Sequence, residues 1–247
     1  MKTYISKILP NLKRYSKSLD KKAILIDQPW VHVNEEGALA KYIFRSNGEL
    51  IISEKGKVKS GNWEYISGAN SLLIRKDSAQ YLLNQDFTDE ALLALKYDGV
   101  QADSFILANE NLIPDLDVPK YLNELFYRKK SLRKIKVNGE TYGVDTLGVS
   151  VGSILFRDCK RVDLPILTKD NRKLYLEHGR VRKISSFIKI NYKDAYYHIE
   201  CFHRGILNRS YPKKGDLAFN SNKNPLPDGK YKLARFRSVK VKDGVVN

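Results

Sequence analysis

Apolar and polar positions between residues 23 and 110 come in short runs, each closed by a turn. Residues 23–33 are apolar and run into Asn34-Glu35-Glu36-Gly37; Tyr42-Ile43-Phe44 precedes Ser46-Asn47-Gly48; Leu50-Ile51-Ile52 precedes Glu54-Lys55-Gly56; and residues 58–66 carry Trp63 and Tyr65. The turns set Gly beside Asn, Lys or Ser, where a positive φ is accessible. Leu72-Leu73-Ile74, Tyr81-Leu82-Leu83, residues 91–97 and Phe105-Ile106-Leu107 follow at similar intervals, with Asp98-Gly99 as another hairpin signal. Such intervals leave no room for crossover helices, so the sheet is expected to be antiparallel, a meander or a small barrel.

Two stretches carry helical spacing instead. Val118, Tyr121, Leu122, Leu125 and Phe126 recur at one-face intervals behind Asp117, an N-cap type, and the run ends in Arg128-Lys129-Lys130, cations suited to a helix C-terminus. Ile5, Ile8, Leu9 and Leu12 also share a face, opposite Lys7, Lys13, Arg14 and Lys17. Pro10 falls inside that second pattern, which predicts a helix that begins near Leu9 or is broken there. Packing of this basic amphipathic segment on the body of the protein is favoured over a membrane-surface role.

Beyond residue 127 the strand pattern returns: Ile135-Lys136-Val137 before Asn138-Gly139, residues 149–156, and Leu174-Tyr175-Leu176 before His178-Gly179. Residues 181–202 read as two strands meeting near Tyr192-Lys193-Asp194, and the chain ends through Asp228-Gly229, Tyr231-Lys232-Leu233, Val239-Lys240-Val241 and Asp243-Gly244. The expected fold is mainly β: a meander or small barrel, a connecting helix, then a second β-rich domain. No fixed period argues for a solenoid.

Charge sharpens the division. Residues 1–22 carry seven Lys/Arg and one Asp (net +6), residues 23–127 nine against sixteen (net −7), and residues 128–247 28 against eleven (net +17). Three segments are therefore expected: a basic N-terminal segment 1–22, an acidic meander with its helix 23–127, and a basic β-rich domain 128–247. A basic face concentrates polyanionic partners, so the last segment is where an acidic partner is expected. The chain holds only Cys159 and Cys201, no run of about 18 apolar residues and no signal-peptide core, which predicts buried reduced thiols, no transmembrane segment and a cytoplasmic location.

Residues 42–110, with Gly61-Asn62-Trp63 and the chain of short hairpins, resemble the small lipocalin-like β-meanders of many bacterial proteins. The resemblance implies a closed or nearly closed antiparallel sheet over less than half of the chain. In lipocalins the Gly-x-Trp opens the first strand, whereas here several strands precede it, so no ligand-binding residue is carried over. Trp30 and Trp63 are read as core or barrel-mouth residues. The ending, Pro227-Asp228-Gly229-Lys230-Tyr231-Lys232-Leu233 followed by Val239 to Gly244, is similar to terminal hairpins of small bacterial proteins and implies a β ending without an activity.

Candidate chemistry concentrates in the basic half. His198-Ile199-Glu200-Cys201-Phe202-His203 is the densest reactive cluster; on a strand, His198, Glu200 and Phe202 share one face and Cys201 and His203 the other, so neither face presents three ligands, and neither a metal nor a cofactor is expected. An acid/base pair drawn from His178, His198 or His203 in basic surroundings is the one enzyme reading available, a phosphodiesterase, and it matches no nuclease motif. Cations interleave with Tyr175, Phe187, Tyr192, Tyr196, Tyr197, Phe202, Tyr211, Phe219, Tyr231 and Phe236, a composition that suits stacking on single-stranded nucleic acid if the rings are exposed rather than core. The binding residues singled out are Arg133, Lys134, Arg180, Arg182, Lys183, Arg235 and Arg237, with Arg180 and Arg182, and likewise Arg235 and Arg237, alternating onto one side of a strand. Two readings follow. The first is a non-enzymatic binding protein, such as a bacterial immunity or adaptor protein, that docks an acidic partner protein through its basic half; the second is a nucleic-acid-binding protein or nuclease using the same half.

Overall fold

The computed structural model describes residues 2–17, 22–33, 39–99, 104–168, 172–192, 195–203 and 211–247. The chain forms two compact units, Met1–Lys129 and Lys130–Asn247. In the first, eight strands close an antiparallel barrel in chain order: β1 (Trp30–Val33), β2 (Leu39–Phe44), β3 (Glu49–Glu54), β4 (Lys57–Ile66), β5 (Ser71–Lys76), β6 (Ala79–Thr88), β7 (Leu92–Tyr97) and β8 (Ser104–Asn109). β8 returns to β1, setting Trp30 opposite Asn109, so the sheet leaves no open edge.

Alternation along each strand fills the interior with Trp30, Phe44, Leu50, Trp63, Leu72, Leu83, Leu93 and Leu95 among others. Both indoles reach a backbone carbonyl, Trp30 Nε1 donating to Leu25 O at 3.2 Å and Trp63 Nε1 to Arg45 O at 2.9 Å. The Gly-x-Trp lies in the fourth strand, not the first, and its glycine has a local reason: a Cβ on Gly61 would stand 2.4 Å from Arg75 O.

Leu92 and Ala94 of β7 face outward yet are fully buried, because helices run along this side. They are α1 (Lys2–Leu12) and α3 (Val118–Lys129); a single turn, α2 (Lys22–Leu25), precedes the barrel. Lys13 pairs with Asp86 at 2.7 Å, Thr88 N donates to Ser16 Oγ at 3.0 Å, and Tyr121 OH donates to Asp89 Oδ2 at 2.6 Å. Asp117 caps α3, its Oδ1 accepting from Lys120 N at 3.0 Å. α1 corrects the expectation at Pro10: it runs unbroken from Lys2 to Leu12 with the proline inside. Pro10 sits in the last turn and forgoes one bond at about 3 kcal/mol, while burial of Ile5, Ile8, Leu9 and Leu12 returns roughly 1.5–3 kcal/mol apiece.

The second unit holds two sheets. One has four strands in the order β12–β11–β10–β9, where β9 is Arg133–Val137, β10 Glu140–Val144, β11 Leu155–Arg157 and β12 Lys160–Arg161. The other has eight strands in the order β13–β14–β15–β16–β17–β20–β19–β18, where β13 is Ile166–Leu167, β14 Arg172–Glu177, β15 Arg180–Tyr192, β16 Ala195–His203, β17 Leu217–Asn220, β18 Gly229–Ala234, β19 Arg237–Lys242 and β20 Val245–Val246. Tyr142, Val144, Leu155, Leu174, Val181 and Ile184 form one core; Ile199, Cys201, Ala218, Val241 and Val246, with Ile188, Tyr231 and Leu233 against them, form the next. The β14–β15 hairpin turns on His178-Gly179, with φ of 48° and 78°, the mirror-image turn that matches strand twist.

Residues 149–156, expected as a strand, are mostly not one: only Leu155–Arg157 is. Polar side chains capture the preceding backbone instead, with Ser150 N donating to Ser153 Oγ at 3.0 Å, Thr146 Oγ1 to Gly148 O at 2.8 Å and Ile154 N to the Asp145 carboxylate at 2.7 Å. Val151 alternates in sequence like a strand residue and ends exposed.

Candidate binding site

Strand register sorts the aromatic residues of the basic unit into three groups. Tyr197 and Tyr231 point into the second core and meet edge to face at 5.2 Å between centroids. Tyr211 and Phe236 stand out from the surface, 50% and 90% exposed. Tyr175, Phe187, Phe202 and Phe219 lie on the outer face of β14–β17. The side chains of Tyr192, Tyr196 and His203 lie outside the described residues.

The second group lines a groove. Phe236 and Arg235 form the two-residue tip between β18 and β19, closed by the Ala234/Arg237 pair. Tyr211, Pro212, Leu233, Phe236, Arg237, Ser238 and Val239 line an open depression of about 480 Å³. The Arg235 guanidinium lies 5.4 Å from the Phe236 centroid and Lys213 Nζ 5.9 Å from that of Tyr211. Among the described residues no carboxylate lines this groove, and Lys213, Lys214, Arg235 and Arg237 are in no ion pair. Asp216 shapes the approach from within: its carboxylate accepts from Lys213 N at 2.7 Å and Phe202 N at 3.1 Å and is itself buried. Arg235 and Arg237 thus do not alternate along a strand as expected. Arg235 is a turn residue, because the chain reverses at Arg235-Phe236.

On the outer sheet face, cross-strand pairs set Tyr175 against Lys183, Lys173 against Ser185, Ser185 against Phe202, Phe187 against Glu200, and His198 against Phe219. Glu200 is 5% exposed and Ser185 0%. Both Tyr175 OH and Ser185 Oγ, the latter at 2.6 Å, donate to Glu200 Oε1. Burial, and then the adjoining Glu200 carboxylate, push the Tyr175 hydroxyl up to about 12, so it stays a donor at neutral pH. Lys173 Nζ lies 4.5 Å from the Tyr175 centroid and Lys183 Nζ 5.6 Å from that of Phe202.

The remaining candidates do not gather at one place. Arg180, Arg182 and Lys183 are all exposed, because a bulge makes Arg182 an extra residue: Tyr175 pairs with Lys183 but Leu176 pairs with Val181. Arg180 Nη1 donates to Gly152 O at 2.9 Å and Arg182 Nε pairs with Glu177 at 2.6 Å, so both are partly engaged. Arg133 and Lys134 belong to β9, in the other sheet. The histidines are kept apart. His178 is a turn residue at one end of β15, while His198 pairs with Lys189, nine positions along from Arg180, which is roughly 30 Å at strand rise. The backbone of His203 pairs with Ile184, five positions from Lys189. His178 and His198 therefore share no reaction site, and among the described residues no three His, Cys, Asp or Glu side chains group as a metal site.

The barrel end carries a separate aromatic cluster. Phe105 stacks on His32 at 4.6 Å, meets Tyr42 edge to face at 5.5 Å, and Lys76 Nζ lies 5.5 Å from the Tyr81 centroid. The cavity they leave with Ile74, Leu83 and Tyr97 is about 10 Å³, no larger than one water.

The chain matches no protein-family model, and no curated protein matches it in sequence. No helix among the described residues is long and apolar enough to cross a membrane.

Proposed function

We propose that this chain is a non-enzymatic binding protein, of the adaptor or immunity kind, that docks an acidic partner protein through its basic C-terminal unit at the Tyr211/Phe236 groove. One observation carries the reading: two exposed aromatic side chains flank an open depression that Arg237 lines, with Lys213 against the Tyr211 ring and Arg235 against the Phe236 ring, cations with no carboxylate partner among the described residues. Aromatic anchors with arginine at a concave site are the composition of interface hot spots, and unneutralised cations at the rim select acidic partners and speed their encounter. The lipocalin-like N-terminal unit serves on this reading as a filled scaffold, because its interior is packed with Trp30, Phe44 and Trp63 and the cavity at the Tyr42/Phe105 end could not hold a small molecule. Both cysteines are buried in the protein interior, which supports a reducing compartment such as the cytoplasm.

The test is photocrosslinking from position 236, with a photoreactive phenylalanine analogue in the intact chain expressed in its own cells. The proposal expects one protein crosslinked through an acidic segment, with the yield lost in the Arg235→Glu/Arg237→Glu double variant. Crosslinks to nucleic acid, or a yield indifferent to charge reversal, would overturn it.

A further inference from the structure

Both cores of the second unit lie against the same face of β14–β16. Leu174, Val181 and Ile184 face one core and Ile188, Ile199 and Cys201 the other, so the small sheet and the β18–β19 hairpin pack on that side. The opposite face bears Tyr175, Phe187, Phe202 and Phe219, all only partly buried, with Lys173 and Lys183 over the outer rings and Arg182 bulged beside them. Among the described residues it bears two carboxylates: Glu200, buried and turned inward to Tyr175 and Ser185, and Glu177, two positions from Tyr175 on β14 and paired with Arg182. We propose that this face is a second binding surface, for single-stranded nucleic acid, with bases stacked on Tyr175, Phe187 and Phe202 and phosphates met by Lys173 and Lys183.

The chemistry distinguishes it from the groove. A protein partner needs concavity for an anchoring side chain, which the groove offers; a strand of bases needs ring faces in rows on a flat platform with cations on flexible stems at the rim. Here Tyr175 and Phe202 are 6.3 Å apart between centroids, and Phe187 lies two positions from Ser185, the residue opposite Phe202. The Glu200 contacts hold the Tyr175 ring in place before any ligand arrives. Lys173 and Lys183 rest on rings while the face is empty and can swing to phosphates, because exposed cation–π contacts are weak. The surface stands independently of the groove and does not need a protein partner.

Fluorescence anisotropy with the full chain tests this, using labelled 12-nucleotide oligo(dT) and oligo(U), a duplex of the same length and a poly-glutamate peptide, between 50 and 200 mM salt. The expected result is selective binding of the single strands, weakening about 20-fold over that range, as for about three neutralised phosphates. Lys173→Gln with Lys183→Gln should lower affinity about tenfold and flatten the salt slope by about 1.4. Phe187→Leu, which keeps apolar bulk but removes a ring, should lower affinity about tenfold with the slope unchanged. The barrel pair Lys55→Gln and Lys57→Gln should change little. Equal binding of duplex or poly-glutamate, no binding at 50 mM salt, or insensitivity to the lysine pair would overturn the proposal; the lysine pair decides alone if Phe187→Leu does not fold.

Discussion

Replacing Glu200 by Ala removes the acceptor that two side chains share. Ser185 is fully buried and its hydroxyl has no other partner among the described residues, so the loss of Glu200 Oε1 strands a donor at about 1–3 kcal/mol. Tyr175 is half-buried and can turn its hydroxyl to water, which places its share near the lower end, about 1 kcal/mol. The void left by the side chain adds roughly another, and relief of the buried charge subtracts a comparable amount, giving a loss of about 3 kcal/mol. For a unit of this size that is a fall of roughly 12 °C in its melting temperature. Glu200→Gln keeps an acceptor oxygen and should lose only about 1 kcal/mol. Tyr175→Phe should be mild in the parent and nearly silent in Glu200→Ala, since the partner is already gone. Scanning calorimetry of the full chain, with hydrogen exchange of β15 and β16 amides to assign the transition, reads the parent and the four variants. A loss below about 0.5 kcal/mol in Glu200→Ala, or additivity of the two substitutions, would refute the argument that this carboxylate organises the outer face.

Three further outcomes are expected. Gly179→Ala forces a non-glycine residue to φ 78° with its Cβ 2.5 Å from Arg161 Cβ, and should destabilise by about 2–3 kcal/mol in urea unfolding, whereas Gly139→Ala, at φ 90° with open space, should lose only about 1 kcal/mol. Burial pushes the Cys159 thiol up to about 12 and Cys201 is fully buried, so a thiol reagent at pH 8 should find no reactive cysteine until denaturant exposes both; rapid native labelling would contradict this. Tyr175 and Tyr42 are both raised to about 12, which favours their neutral forms in the folded state. Their contribution to stability should be complete below pH 10 and disappear between about 10 and 12, with tyrosinate absorbance rising late and Tyr175→Phe removing part of that slope.

The barrel was legible because its signals are local. Turn pairs such as Lys55-Gly56 and the Asp117 cap act within a few residues, and short spacing forbids crossovers. The groove was legible only in its charges: Arg235 and Arg237 stood out, but the ring of Tyr211 joins Phe236 across 25 positions of sequence, a distance no periodicity records. On the outer face, alternation placed His198, Glu200 and Phe202 together, and register alone could add Tyr175 and Ser185. The bulge at Arg182 shifts the parity of β15 midway, so counting in twos along Arg180, Arg182 and Lys183 fails there. Residues 149–156 read like a strand, yet hydroxyls and the Asp145 carboxylate satisfy the backbone before Leu155 locally and release it from the sheet.

The most direct test of the central claim is the affinity of the partner crosslinked at position 236, measured by titration calorimetry against the parent chain and Phe236→Ala. Phe236 is 90% exposed, so its loss should leave unfolding within about 0.5 kcal/mol of the parent while weakening binding by at least 30-fold, about 2 kcal/mol. Unchanged affinity in Phe236→Ala would contradict the assignment of this groove as the docking site.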